Sequence, residues 1–144
     1  MTCLLDVNLL IALLWPTHEA HTKAQRWFVQ NAHHGWATCA MTQAGFVRIV
    51  SNPVFSRRST SPTDALTVLT GSLNHPSHRF WTEDITLADA LAYCGKGVVG
   101  HQQVTDAYLL GLAIHKKGKL ATFDSSISSL LPKESAAIGH LVLI

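Results

Sequence analysis

The chain has 144 residues, 47% of them hydrophobic and 14% charged, a composition that excludes intrinsic disorder and predicts one compact domain over residues 1–144. Its 11 Lys and Arg residues against 9 Asp and Glu give a net charge of +2, too little for a protein that coats nucleic acid non-specifically. Short apolar runs predict five strands, at residues 2–5, 36–39, 79–82, 120–123 and 141–144.

Apolar residues at helical spacing predict six helices around these strands, at residues 7–14, 18–30, 42–50, 62–72, 86–93 and 105–117, with Gly118 ending the last one. Strands that alternate with helices build right-handed crossover units. The sequence therefore predicts a three-layer α/β fold, in which a parallel five-stranded sheet carries helices on both faces. The stretch at 51–61 is predicted to be a basic loop, because it is rich in serine and contains Arg57 and Arg58.

The apolar runs near the start of the chain are interrupted at Asp6 and at Pro16, so they are too short to span a membrane. Basic residues of the kind that open a signal peptide are also missing there. We therefore expect a cytoplasmic protein without a membrane partner. Three cysteines, an odd number without CxxC spacing, predict reduced thiols rather than disulfides or a zinc site.

Acidic residues stand where two of the predicted strands end. Asp6 follows the first strand, Asp124 follows the fourth, and Asp106 lies at the start of the helix that leads into the fourth strand. In an open parallel sheet the ligand crevice lies beyond the carboxyl ends of the strands, so the three carboxylates are expected to converge. Each aspartate alone could cap a helix. Together, with Asn8 available to orient Asp6, they favour a Mg²⁺ or Mn²⁺ site, because hard cations prefer oxygen ligands.

Such a site suits phosphodiester hydrolysis. A cation held by carboxylates lowers the pKa of a bound water and neutralises phosphate oxygens, so the reaction needs no protein nucleophile. The nine histidines do not form a recognisable nucleophile motif with a serine or cysteine. His18 and His21 would share one face of the second predicted helix, but their spacing is one residue short of the HExxH zinc motif.

Four segments carry a recognisable family pattern: CLLDVN at 3–8, TQAGFVR at 42–48 followed by SNP at 51–53, TDAYL at 105–109 and LATFD at 120–124. In these segments, and in PTDA at 62–65 and RFW at 79–81, the chain resembles the PIN-domain family. It is most similar to the VapC toxins of bacterial type II toxin–antitoxin modules. The resemblance extends over nearly the whole sequence.

The resemblance implies a metal-dependent endoribonuclease that cleaves cellular RNA, of the tRNA or rRNA class, and is inhibited by a cognate VapB-type antitoxin. The family's acidic metal-site positions fall on Asp6, Asp106 and Asp124, and its supporting polar positions fall on Asn8 and Thr122. The family usually has a glutamate where this chain has Gln43. Since an amide offers an oxygen but no charge, Gln43 is expected to be a weak metal ligand.

Two alternatives remain open at this point. A non-catalytic domain that binds RNA or a partner would be consistent with a degraded metal site at Gln43. A phosphohydrolase of the haloacid-dehalogenase type also begins with a strand and an aspartate, but it needs a second aspartate where this chain has Asn8.

Two surfaces are predicted to bind partners. Arg48, Arg57 and Arg58 flank the third helix and the loop after it, and they are expected to contact RNA phosphates. The early helices carry more apolar residues than one side of the sheet should need, which predicts a homodimer with a groove left for the antitoxin. These residues are Leu9, Leu13, Trp15, Trp27 and Phe28.

Overall fold

One parallel sheet organises the chain. In the computed structural model, which describes residues 1–55, 57 and 60–144, the strands are β1 (Cys3–Leu5), β2 (Trp36–Cys39), β3 (His78–Trp81), β4 (Lys119–Thr122) and β5 (Leu141–Leu143). They lie in the order β3-β2-β1-β4-β5, and every neighbouring pair is parallel. The chain thus builds outward from β1 to β3 and then returns to add β4 and β5 on the other side.

In the described part of the chain, six α-helices connect the strands: α1 (Val7–Leu14), α2 (His21–Asn31), α3 (Ala40–Val50), α4 (Pro62–Leu73), α5 (Leu87–Ala92) and α6 (Val104–His115). Short 3₁₀ helices occupy Ala32–His34, His101–Gln103, Ser125–Leu130 and Ala136–His140. Several helix starts follow from capping. Asp6 accepts a hydrogen bond from the Leu9 amide, and Ser61 accepts one from the Asp64 amide just before Pro62, which is favourable at a first helical position.

Two apolar cores fill the space on either side of the sheet. One lies between the sheet and helices α1 to α4, with Phe46 and Trp36 among its buried side chains. The other lies between the sheet and helices α5 and α6, and it includes Cys39 and Cys94, whose thiols are buried. The expected parallel sheet with helices on both faces is therefore confirmed. No helix in the described part of the chain is long and apolar enough to cross a membrane.

The end of α6 differs from its prediction. The helix ends at His115, and Lys117 rather than a glycine takes the left-handed conformation, with φ of 57°. Gly118 donates its amide to the Ala113 carbonyl at 2.9 Å, which closes the helix. Its lack of a side chain serves packing, because a Cβ there would lie 2.5 Å from a ring carbon of Trp81.

Candidate metal centre and its surroundings

The carboxyl ends of β1 and β4 form the switch point of the sheet. The connection that leaves β1 packs on one face, whereas the segment that follows β4 contributes Ile127 and Leu130 to the core on the other face. A crevice opens between adjacent strands whose connections diverge in this way, and it is the usual ligand site of an open parallel sheet. Asp6 directly follows β1, and Asp124 lies two residues after β4 ends.

Asp6 is 5% exposed and is fixed through both carboxylate oxygens. Its Oδ1 accepts a hydrogen bond of 2.8 Å from the Leu9 amide, and its Oδ2 accepts one from the Thr122 hydroxyl. The first bond caps α1 and the second joins β1 to β4. Each carboxylate oxygen has a further lone pair, so a helix cap is compatible with metal binding.

The Thr122 hydroxyl that binds Asp6 also contacts Asp124. The Asp124 amide donates to the Thr122 hydroxyl oxygen at 3.0 Å, so one hydroxyl connects the two acidic positions. The Asp124 carboxylate is exposed and accepts hydrogen bonds from the amide and hydroxyl of Ser126, at 2.9 and 2.6 Å. Asp106 lies in the first turn of α6 and is half-buried.

The three aspartates, called the acidic edge below, are coupled through their charges. Burial raises the pKa of Asp6 to about 6, and the negative charges of Asp106 and Asp124 contribute to the rise, against the hydrogen bonds from Thr122 and Leu9. Burial also raises the pKa of Asp106, and the charge of Asp124 adds to this effect. The structure therefore brings the three predicted carboxylates close enough to repel one another, which disfavours ionisation of all three.

The donor set fits a small divalent cation that keeps most of its water. Within residues 1–55, 57 and 60–144, no group of three or more His, Cys, Asp or Glu side chains is placed to hold a metal ion by itself. Mg²⁺ does not require one, since it is commonly held by one or two carboxylates, several waters and substrate phosphates. A cation would also relieve the repulsion among the carboxylates, which adds to the effect of burial on the pKa of Asp6.

Gln43 lies in the first half of α3 and is half-buried. Its amide nitrogen donates a hydrogen bond of 3.0 Å to the Thr38 hydroxyl oxygen, and Thr38 in turn is 2.8 Å from Nε2 of His78. Sequence reasoning missed both of these partners. The available signal was a threonine in the middle of the otherwise apolar strand β2, where a buried hydroxyl requires a hydrogen-bond partner.

Comparison with known proteins agrees with this geometry. The PIN domain family matches residues 3–130. The ribonuclease VapC39 of Mycobacterium tuberculosis is 44% identical over 139 residues, covering 96% of both chains. VapC38 and VapC44 of the same organism, also named ribonucleases, are 42% and 39% identical, and they match over 98% and 100% of both chains.

The chain belongs to the PIN-domain family, in its VapC branch. A solved structure, VapBC2 from Rickettsia felis bound to a DNA fragment from its promoter, has the same fold as this PIN domain, with a TM-score of 0.64 over 100% of this chain and 98% of the other. The two sequences are only 15% identical. Membership of the VapC branch therefore rests on the mycobacterial relatives.

Three of the remaining site predictions, Asn8, Arg48 and Arg57, lie on the surface of the PIN domain. Asn8 is exposed in the first turn of α1, beside Asp6. Arg48 is exposed in the last turn of α3. Arg57 is exposed, and Arg58 lies outside the described residues. Their contacts with RNA stay predictions.

The prediction that His18 and His21 share a helix face is wrong. His18 precedes α2, which begins at His21, so the two rings do not share a helix face. Nδ1 of His18 accepts a hydrogen bond from the Ala20 amide, and Nδ1 of His21 lies 2.8 Å from the Ala12 carbonyl oxygen. Both rings hold the connection between α1 and α2 in place.

An open groove of about 910 Å³ lies at the end of α1 opposite Asp6. Trp15 and Phe55 meet edge to face on its wall, with ring centroids 6.2 Å apart, and Arg57 supplies the positive charge. The other lining residues are Leu14, Pro16, Thr17, His18, Glu19 and Val68. The PIN domain thus has an apolar groove, separate from the acidic edge, that has one basic and one acidic residue at its border.

Proposed function

We propose that this protein is a divalent-metal-dependent endoribonuclease, the toxin of a type II toxin–antitoxin module. Its substrate would be cytoplasmic RNA of the tRNA or rRNA class. The observation that carries the proposal is the position of Asp6 and Asp124 beyond the ends of the adjacent strands β1 and β4, where their charges and that of Asp106 are coupled. Close relatives that are named ribonucleases support the same activity. We propose that residues 1–144 act as one domain, with β5 completing the sheet beyond the family match.

Asp6, Asp106 and Asp124 would hold Mg²⁺ or Mn²⁺, with the amide oxygen of Gln43 as a neutral fourth donor. When bound, the cation supplies positive charge that polarises the scissile phosphate and activates the attacking water. The protein's own contribution is rigidity. Thr122 fixes Asp6, and Ser126 fixes Asp124, so neither carboxylate has to reorganise when substrate binds.

Asn8 and the exposed arginines would position the RNA. Asn8, exposed one residue into α1, is placed to orient Asp6 or a substrate phosphate. Arg48 and Arg57 are exposed cations, and together with Arg58 they are proposed to contact the RNA backbone. Such contacts give affinity without reading the sequence, so the choice of RNA must depend on further contacts.

Removing one carboxylate tests the proposal. Asp106→Asn should lower RNA cleavage at least about 100-fold, because it removes a proposed metal ligand, whereas outer-shell partners alone typically contribute 10–100-fold. Asp6→Asn should do the same while keeping the fold, since an amide oxygen still caps α1. Asp89→Asn is the matched control, because Asp89 occupies the first turn of α5 as Asp106 occupies that of α6. Cleavage by Asp6→Asn at the parental rate would contradict the metal site.

A non-catalytic RNA-binding or partner-binding role is the second candidate. Two observations favour it: the neutral Gln43, and the finding that no three His, Cys, Asp or Glu side chains among the described residues are placed to hold a metal ion by themselves. Incubating the purified protein with total RNA, first with Mg²⁺ or Mn²⁺ and then with EDTA, separates the two candidates. Cleavage that depends on the cation supports the nuclease, and RNA binding without cleavage supports the second role.

We further propose that the apolar groove at the end of α1 binds a segment of the cognate antitoxin. The Rickettsia felis relative is described as a complex of VapB and VapC components. The groove of this chain combines the Trp15 and Phe55 rings with Arg57, a lining that suits an amphipathic helix carrying aromatic or aliphatic side chains and an acidic residue. Antitoxin bound there would lie at the end of α1 opposite Asp6.

Phe55→Asp should weaken antitoxin binding strongly, by about 2 kcal/mol or more, because it places a charge in the apolar groove. Val54→Asp is the matched control, since the adjacent Val54 is 94% exposed and does not line the groove. Binding is measured by titrating each variant with the antitoxin encoded beside the toxin. Equal affinities of the two variants would place the antitoxin elsewhere, and RNA cleavage by both should stay at the parental rate.

A further inference from the structure

Two hydrogen bonds, called the relay below, join Gln43 on α3 to Thr38 on β2 and Thr38 to His78 on the edge strand β3. The Gln43 amide nitrogen donates to the Thr38 hydroxyl oxygen at 3.0 Å, and that oxygen is 2.8 Å from Nε2 of His78. Thr38 is fully buried in β2, and His78 is the first residue of β3. The three polar groups therefore satisfy one another in a region that water does not reach at Thr38.

His78 also contacts an aromatic cluster. Its ring packs against the indole of Trp36 in a tilted arrangement, with centroids 4.7 Å apart. The Trp36 indole nitrogen donates to Nδ1 of His75 at 3.3 Å, and Phe28 packs edge to face on Trp36 at 5.3 Å. These contacts hold the imidazole in place, and the imidazole orients the Thr38 hydroxyl.

The chemistry of the three groups decides which atom donates and which accepts in each hydrogen bond of the relay. An amide nitrogen can only donate, so Thr38 accepts from Gln43, and its single hydroxyl proton is then free to be donated to His78. Nε2 of His78 must therefore be unprotonated, with the ring proton on Nδ1. Burial, together with Arg79 and His75, lowers the pKa of His78, which agrees with a neutral ring.

The hydrogen-bond chain ends at Gln43 on a helix that packs against the residue after Asp6. Helix α3 packs against the start of α1 so closely that a Cβ on Gly45 would lie 2.7 Å from a methyl carbon of Val7, the residue after Asp6. Because the Gln43 nitrogen is bound to Thr38, the carbonyl oxygen on the other branch of the amide is turned away from it.

We propose that His78 is a positioning residue that acts through Thr38 to hold the Gln43 amide with its oxygen presented to the acidic edge. The inference rests on the proposed metal-dependent function, because it assigns the Gln43 oxygen to the metal site. It also explains how a neutral side chain is used there. The Gln43 amide is oriented by the bond that its nitrogen donates to Thr38, and an ionised glutamate could not donate that bond.

A glutamate at position 43 reverses the relay. Its carboxylate must accept from Thr38, so the Thr38 proton is no longer available to His78, and Nε2 of His78 must become the donor. Long-range ¹H–¹⁵N correlation spectra of the metal-free protein report which ring nitrogen carries the proton. We expect Nε2 of His78 to be unprotonated in the parent and protonated in Gln43→Glu. The same His78 protonation pattern in both proteins would overturn the proposal.

The second measurement is the affinity for Mn²⁺ by calorimetry. His78→Phe and Thr38→Val should each weaken Mn²⁺ binding about tenfold, as is typical when an outer-shell partner is removed. His75→Phe is the matched control, because His75 contacts the same Trp36 ring but is not hydrogen-bonded to Thr38. Parental Mn²⁺ affinity in the first two variants, or an equal loss in His75→Phe, would contradict the positioning role. Thr38→Val keeps the test available if His78→Phe fails to fold.

The two measurements distinguish failure of this inference from failure of the proposed function. If the parent neither binds Mn²⁺ nor cleaves RNA, the nuclease proposal fails, and with it the role of the relay at a metal site. If the parent binds Mn²⁺ and cleaves RNA while His78 keeps one protonation pattern in the parent and in Gln43→Glu, the nuclease stands and the relay is wrong.

Discussion

Asp6 has two structural roles that impose opposite demands on its charge. As the cap of α1 it benefits from ionisation, because a carboxylate is a strong acceptor near the positive end of a helix. As a nearly buried member of the acidic edge it is penalised for ionisation, and burial dominates, so its pKa rises to about 6. Ionised Asp6 is thus unfavourable in the metal-free fold, whereas metal binding needs the ionised form. A bound cation would remove this conflict, because it stabilises the carboxylate.

The pH dependence of stability follows from this pKa. A carboxyl group whose pKa rises from 3.8 to about 6 on folding stabilises the folded state fully below pH 4 and loses that contribution as the pH rises through 6. In the metal-free protein, Asp6 should make the folded state about 1 kcal/mol more stable at pH 5 than at pH 7.5. Asp6→Asn should remove this difference, and urea unfolding of both proteins at the two pH values measures it. An unchanged difference in the variant would assign the effect to other groups.

At the scale of elements, the short strands were predictable because each is an apolar run bounded by polar or turn residues. The ends of the helices were less accessible to sequence reasoning. Helix α2 was predicted to begin at 18 and begins at His21, because the amides of Ala20 and His21 bond to His18 and form a turn first. Helix α3 begins at Ala40 instead of 42, directly after β2, because the Thr42 side chain accepts the Cys39 amide and caps the helix from within.

The placement of Asp6 and Asp124 at one edge of the sheet was predictable for a similar reason. Parallel strands end at one side of the sheet, so residues that follow strands meet there whatever the details of packing. The Gln43–Thr38–His78 relay was not predictable, because it joins residues up to 40 positions apart whose pairing depends on the register of β2 and β3. Strand order and register are set by tertiary packing, and the local pattern of each strand does not contain them.

Two helical glycines give a matched test of packing between elements. A Cβ on Gly111 of α6 would lie 2.5 Å from the Ala90 carbonyl oxygen of α5, whereas a Cβ on Gly71 of α4 would meet nothing within 4 Å. Gly111→Ala should therefore destabilise the protein by about 1–3 kcal/mol through overpacking. Gly71→Ala should stabilise it by about 0.5–1 kcal/mol, because alanine is the better helix former. Denaturant unfolding of the two variants checks both signs, and a stable Gly111→Ala would show that α5 can move away.

At the scale of the whole molecule, the acidic edge and the apolar groove are separated along α1. That helix has 8 residues, so its two ends are about 12 Å apart. Substrate and antitoxin could therefore contact different parts of the protein, and an antitoxin that only fills the groove would not have to imitate RNA. Inhibition would then depend on how far the antitoxin reaches from the groove toward Asp6.

The apolar residues of the early helices do not by themselves support the predicted homodimer. Leu9 is fully buried within the chain, and Phe28 packs on Trp36, so these side chains complete the chain's own core. Exposed aliphatic side chains lie on α4, where Leu66 is 51% exposed, and on α2, where Val29 is 74% exposed. Leu66 and Val68 are two residues apart on α4, so their side chains point to nearly opposite sides of it, about 160° apart. A dimer formed through Leu66 would leave the Val68 side, which lines the groove, accessible to the antitoxin.

We therefore predict a homodimer at tens of micromolar, with light scattering giving twice the mass of the chain. Leu66→Lys should shift the protein toward monomer, because it places a charge in an apolar contact that would otherwise be removed from water. Val29→Lys is the matched control, since Val29 is an aliphatic residue on α2 that is 74% exposed and lies on a different helix. A parent that scatters as a monomer would exclude the dimer. A dimer that survives Leu66→Lys but not Val29→Lys would move the interface from α4 to α2.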